Sequence, residues 1–313
     1  MGVFVFLPLV LPLSALPIAR LAEQHLHPRR AARLLTTVAV ILASCSLVCL
    51  GLLVVVGTAQ LPGNPLPDGW SDDEVREAVP HDAFAGKASI VALVAVAAAC
   101  GFTVHRHYRF RARAHRALAG LPSGGGDVAV LRDTVPYAYA LPGSPGRVLV
   151  STGMLASLEP AERRALFAHE RAHLAGRHHR LLLATRLAGC VNPLLRPLLA
   201  ALVYSTERWA DEEAARATGD RRLTARAVGK AALVSRPAPS GGPAFAAFAA
   251  TGPVPRRVAA LLGPVPSDRG WPPALTRAGA AALVAAAGTT VSALSALNAS
   301  VALFLALEAA TPL

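Results

Sequence analysis

The run His169-Glu170-Arg171-Ala172-His173 carries the most chemistry in the chain. Wound into a helix, residues four apart share a face, so two imidazoles can reach one Zn2+ at about 2.0–2.1 Å each. Glu170, beside the first imidazole, then stands over the metal's open position, where a carboxylate can take a proton from water. A catalytic zinc needs a third protein ligand and one free position. Downstream, Tyr204-Ser205-Thr206-Glu207-Arg208-Trp209-Ala210-Asp211-Glu212-Glu213 offers Glu207 as that ligand. Asp211, one turn on, can hold the outer N–H of a liganding histidine and fix its tautomer. The competing reading of the same run is a solvated acidic helix face. The expected chemistry is hydrolysis assisted by one Zn2+ per chain.

These residues need elements to hold them. Glu159-Pro160-Ala161-Glu162 puts acids and a proline at a helix start, so a helix beginning near Ser157 is predicted to carry the motif. Before it, apolar runs at 128–131, 138–141 and 147–152, the last two flanking the turn residues 142–146, predict a β-hairpin or small sheet. Residues 120–127 read as a flexible break, and 237–253 as a linker or lid whose Phe245 and Phe248 rest on a membrane surface. His178 and His179 follow the motif, either near substrate or as a polar helix end. Arg208 and Tyr204 flank Glu207, where either could stabilise a tetrahedral intermediate, and Trp209 reads as core.

The rest of the chain has a membrane balance: 53% of its 313 residues are apolar and 16% charged, against about a quarter charged in ordinary soluble domains. A formal charge of +12 suggests nucleic acid, but no aromatic-plus-basic motif accompanies it, so no direct nucleic-acid partner is expected. Charge-free runs at 1–19, 34–57, 88–104 and 278–307 are read as four spans, the first kinked by Pro8, Pro12 and Pro17 and retained rather than cleaved. Arg20, Arg29, Arg30 and Arg33 mark the first loop as cytoplasmic. The acidic loop 58–86 should face outward, and Arg106, Arg109, Arg111, Arg113 and Arg116 mark the inside again. The expected topology has the N-terminus outside, residues 105–277 in the cytoplasm and the C-terminus outside. Three domains follow: 1–104, 105–277 and 278–313. Cys45, Cys49, Cys100 and Cys190 lie in apolar segments and indicate no disulfide framework.

The stretch PYAYALPGSPGRVLVSTGMLASLEPAERRALFAHERAHLAGRHH, followed by ERWADEEA, resembles the integral-membrane gluzincin peptidases. The span layout looks most like the BlaR/MecR-type antirepressor peptidases, with the heat-shock-X and CAAX prenyl-protein protease families as near neighbours. VPRRVAALL at 254–262 is similar to the arginine-containing helix that often closes such domains. The resemblance implies His169, His173 and Glu207 as zinc ligands, Glu170 as general base and Asp211 as the supporting acid. It makes the hairpin from Tyr137 to Ser151, with Tyr139, an edge that pairs with an extended peptide; His178 and Arg208, read from their positions beside the motif and Glu207, are further substrate-binding candidates. Its implied partners are a protein substrate, such as a BlaI/MecI-like repressor or a damaged membrane protein, and the lipid bilayer. β-Lactam sensing is not expected, since such sensors carry a large penicillin-binding domain after the last span and this sequence ends at Leu313.

The expected fold class is therefore a mainly α membrane protein, four transmembrane helices with a cytoplasmic α+β zincin-like domain, acting as a zinc metalloendopeptidase. The alternative is a non-catalytic signalling or scaffold membrane protein with a vestigial or structural zinc site. A transporter would carry charges within its spans, and these spans carry none.

Overall fold

The structure is a computed structural model that describes residues 2–61, 63, 66, 67, 70, 82–118, 126–235, 253–266 and 276–310. Most of the acidic loop expected at 58–86, nearly all of the break at 120–127 and the linker at 237–253 lie outside the described residues. Among the described residues, three helices are long and apolar enough to cross a membrane. They are α3 (Pro28–Ala59), α4 (Asp82–Leu118) and, at the C-terminal end, α11 (Arg277–Ala309). The stretch expected at 278–307 is thus one continuous helix. At 37 residues α4 is about 55 Å long against a hydrocarbon core of about 30 Å, so its arginine-rich end projects well beyond the apolar part.

The first segment, expected as a span, is a series of short helices: a 3-10 turn (Gly2–Val5), α1 (Leu7–Val10), a second 3-10 turn (Leu11–Ser14) and α2 (Ala15–His25). Proline is the cause. The carbonyl of Pro8 would accept from the amide four residues on, but that residue is Pro12, which has no N–H. Ser46 of α3 donates its hydroxyl to that carbonyl instead, at 2.7 Å, and Asn192 donates to Leu9 O at 3.0 Å and to Ser46 Oγ at 3.2 Å. The segment runs antiparallel along α3. Val5 shares a core with Cys49, Leu53 and Val56, while Ala15 to Ala22 share one with Ala31 and Leu35. On its other side α3 meets α4 so closely that a Cβ on Gly57 would lie 2.4 Å from the Gly86 carbonyl carbon; only glycine fits there.

The strands form where the sequence places them, as β1 (Val128–Leu131), β2 (Ala138–Leu141) and β3 (Arg147–Ser151). Their order is β1-β3-β2, with β1 parallel and β2 antiparallel to β3, so β2 is an edge. Then come α5 (Thr152–Ser157), α6 (Pro160–Ala175), α7 (His178–Val191), α8 (Arg196–Thr218), α9 (Arg221–Val234) and α10 (Val254–Leu262). The motif helix α6 starts at Pro160, three residues after the expected Ser157, which ends α5 instead, and Glu159 and Glu162 form a reciprocal capping box at its start. Leu182 of α7 and Leu198, Leu202 and Trp209 of α8 share one apolar core with Leu35 and Leu42 of α3. The site helices and the long apolar helix α3 are therefore packed on one core.

Candidate metal centre

Helix α6 brings His169 and His173 to one face, with their Nε2 atoms 3.2 Å apart. Glu207 approaches from α8, Oε1 at 3.4 Å from His173 Nε2 and Oε2 at 3.5 Å from His169 Nε2. Four tetrahedral ligands at about 2.0–2.1 Å from an ion would lie about 3.3–3.4 Å from one another. Two imidazole nitrogens and a carboxylate at this spacing match that geometry and the donor chemistry of zinc. His169 and His173, four residues apart on one helix face, and Glu207 from another helix form a group able to hold a metal ion.

The outer shell fixes these side chains. Asp211 Oδ1 lies 3.1 Å from His169 Nδ1, which leaves His169 Nε2 directed at the shared point. The corresponding nitrogen of His173, Nδ1, lies 2.8 Å from Nδ1 of His178. Coordination through Nε2 puts the His173 proton on Nδ1, so His178 accepts it. Local backbone explains how a residue five positions on returns to the site. Arg177 takes a left-handed φ of 49°, and a Cβ on Gly176 would lie 2.3 Å from His178 Nε2. The His178 ring is 1% exposed and rests on Trp209, with centroids 4.5 Å apart.

Arg257 of α10 completes the shell. Its Nε and Nη2 donate to the two oxygens of Asp211 at 2.9 and 2.7 Å, and Nη1 lies 2.8 Å from Glu207 Oε2. Burial opposes the charge on both carboxylates, but Arg257 outweighs it. Glu207 falls below the usual carboxylate range and Asp211 is drawn down to about 2. Burial also opposes protonation of His169, yet Asp211 and Glu207 raise it to about 10, so this point favours positive charge. Burial pushes His173 down to about 4. Glu170 differs: burial pushes it up to about 7, with Glu207 adding to the rise and His169 and the Ala140 amide opposing it. A buried carboxyl near neutrality beside a metal group is poised to exchange protons.

A cavity of about 680 Å3 opens against this centre. His169, Glu170 and His173 form its floor, Ala138 to Pro142 one wall, and α4 with α7 the other. Ser151 N donates to Tyr137 O, so by the alternation of an antiparallel ladder the backbone groups of Ala138 and Ala140 point away from β3, toward the cavity. Tyr139 and His178 line the cavity. Tyr137 does not, and stacks on Tyr139 at 6.2 Å. Arg208 is also outside it, 4% exposed and paired with Glu212. Tyr204 lies under Arg256 at 4.4 Å from its ring centre. Neither of these two side chains lines the cavity.

A family model described as Peptidase family M48 matches residues 105–193. That match supports the M48 metallopeptidase family. It spans His169, Glu170, His173 and His178 and ends before Glu207, Asp211 and Arg257, which join the centre through the fold. No curated protein and no solved structure matches the chain. M48 peptidases are zinc-dependent, in keeping with the donor set. The antirepressor subgroup receives no support of its own from this match. The role of Arg257 was legible in one respect: it shares the face of Leu261 on an amphipathic helix, and a charge at a core position implies a buried partner.

Proposed function

We propose that the chain is an integral-membrane zinc endopeptidase. The observation that carries the reading is the mutual spacing of His169, His173 and Glu207, 3.2 to 3.5 Å between donor atoms, with Glu170 beside them on the floor of a cavity. In this reading His169, His173 and Glu207 are the ligands, and Asp211 and His178 orient the two imidazoles. A zinc ion held there supplies Lewis acidity toward the scissile carbonyl and the attacking water. Glu170 takes the proton of that water and returns it to the leaving amine. The outward backbone groups of Ala138 and Ala140 align an extended substrate.

The arginines of α4 support a reading with this site at the cytoplasmic face, residues 105–277 on that side and the C-terminus outside. The antiparallel course of 2–25 along α3 supports a fourth crossing, with the N-terminus outside. Glu170→Gln is expected to keep zinc and lose proteolysis, and His169→Ala to lose both, measured as metal content and casein cleavage side by side. Full activity in Glu170→Gln would remove the base from the mechanism. Zinc without cleavage in the unaltered chain would favour a signalling or scaffold protein instead. Substrates of this reading are a BlaI/MecI-like repressor or membrane proteins. Comparing the proteomes of cells carrying the unaltered chain and Glu170→Gln distinguishes them.

A further inference from the structure

Trp209 connects the metal centre to one end of α3. The residue is 6% exposed, and its ring centre lies 4.5 Å from that of His178, whose Nδ1 is 2.8 Å from Nδ1 of His173. The same indole carries two guanidiniums: those of Arg29 and Arg33 lie 5.5 and 5.9 Å from its ring centre, both from exposed residues of α3. An indole face attracts a cation within about 6 Å, which orders two long side chains that would otherwise sweep through solvent. It also crowds them. Arg29 and Arg33 stand four residues apart on one helix face, where like charges repel. A phosphate bridging the pair relieves that repulsion, and the planar guanidinium fork matches its oxygens. The place in the chain says where such a phosphate comes from. Arg33 is the last charge before the charge-free run 34–57, so the pair stands where an apolar helix long enough to cross a membrane leaves hydrocarbon and meets headgroups.

Taking His173 as a zinc ligand, as in the reading above, we infer that Arg29 and Arg33 form a binding site for the phosphate of an anionic phospholipid, and that a lipid bound there tightens the zinc centre through Trp209 and His178. Glu213 already holds the indole by its edge, accepting from Trp209 Nε1 at 3.3 Å. The arginine pair holds the same ring from α3. Tied to a headgroup, the pair keeps the ring against His178, and His178 in turn keeps its place beside His173, as a residue that orients a metal-binding imidazole must.

The test uses the zinc-loaded full chain in nanodiscs of phosphatidylcholine alone or mixed with phosphatidylglycerol. Spin-labelled forms of the two lipids report which headgroup the protein holds, and competition with a chelator reports zinc affinity; neither reading needs proteolysis. The expected result is a preference for phosphatidylglycerol that falls about fivefold in Arg33→Gln. Zinc affinity should rise with phosphatidylglycerol by up to about tenfold in the parent and stay flat in the variant. Arg29→Gln gives the same reading should Arg33→Gln not fold. Arg20→Gln, the same change of charge at an exposed position of α2, is the control and should keep both responses. An equal loss of preference in Arg20→Gln overturns the site in favour of diffuse attraction to the membrane charge. The same gain in zinc affinity from inorganic phosphate in phosphatidylcholine overturns the lipid as its source. Headgroup preference with zinc affinity unchanged overturns the link through Trp209. Failure to hold zinc in either lipid overturns the zinc reading and the link with it, and the headgroup measurement still decides the binding site.

Discussion

Arg257 grips Asp211 through two parallel hydrogen bonds, at 2.7 and 2.9 Å, in a place where the arginine is 4% exposed and the aspartate fully buried. Its third nitrogen reaches Glu207. One guanidinium therefore holds, one helical turn apart on α8, a metal-ligand candidate and the acid that orients another. Arg257→Ala leaves two buried carboxylates without their cation and is expected to cost about 3–5 kcal/mol of stability. Arg257→Lys, which cannot reproduce the fork, should fall between. Thermal melting together with zinc content checks this. An Ala variant as stable as the parent would show that the fork is not needed.

His178 stands to His173 as Asp211 stands to His169. His178→Ala is expected to lower zinc affinity about 10–100-fold, read by competition with a chelator. Gly176→Ala should act in the same direction without removing a polar group, because its Cβ would meet His178 Nε2 at 2.3 Å. Unchanged affinity in both variants would reduce His178 to a packing residue.

At the start of α6, buried Glu162 accepts from Lys230 Nζ at 2.8 Å and caps the backbone of Glu159. Burial raises its pKa, but Lys230 and the backbone hydrogen bond prevail and hold it below the ordinary 4.5. A carboxyl depressed in the folded state contributes stability above its unfolded pKa and loses it as pH falls through the folded one. Lys230→Met raises the folded pKa, so acid unfolding should begin at higher pH than in the parent. Melting curves from pH 7 down to about pH 3 decide it, since the parent should exceed the variant most near neutrality, where Glu162 is ionised, and the gap should narrow as pH falls.

Asn192 ties the site helices to the proline-broken N-terminal segment through Leu9 O and Ser46 Oγ, while its own Oδ1 accepts from Leu194 N at 3.1 Å. Asn192→Ala leaves a buried carbonyl unsatisfied and should lower stability by about 1–3 kcal/mol. Zinc affinity is expected to stay within error of the parent, because no metal-site residue touches Asn192. Denaturation in detergent and chelator competition separate the two quantities.

Local order determined much of this protein without help from the fold. The i, i+4 histidines, the acids and proline at the start of α6, the three strands and the charge-free length of α3 and α11 all follow from periodicity and end signals within a few residues. These depend on backbone geometry that a short segment sets for itself. Glu207 and Asp211 were legible too, as a carboxylate pair one turn apart. What tertiary packing alone decided is which side chains meet. It brought Ser46 and Asn192 to the carbonyls of Pro8 and Leu9 in the proline-broken segment 2–25. It packed Tyr204 against Arg256 and paired Arg208 with Glu212, both outside the cavity. It brought Arg257 across 46 residues of chain to Asp211. Sequence spacing contains no distance between helices; that distance comes from the burial of apolar faces against one another, and with it the electrostatics of the centre.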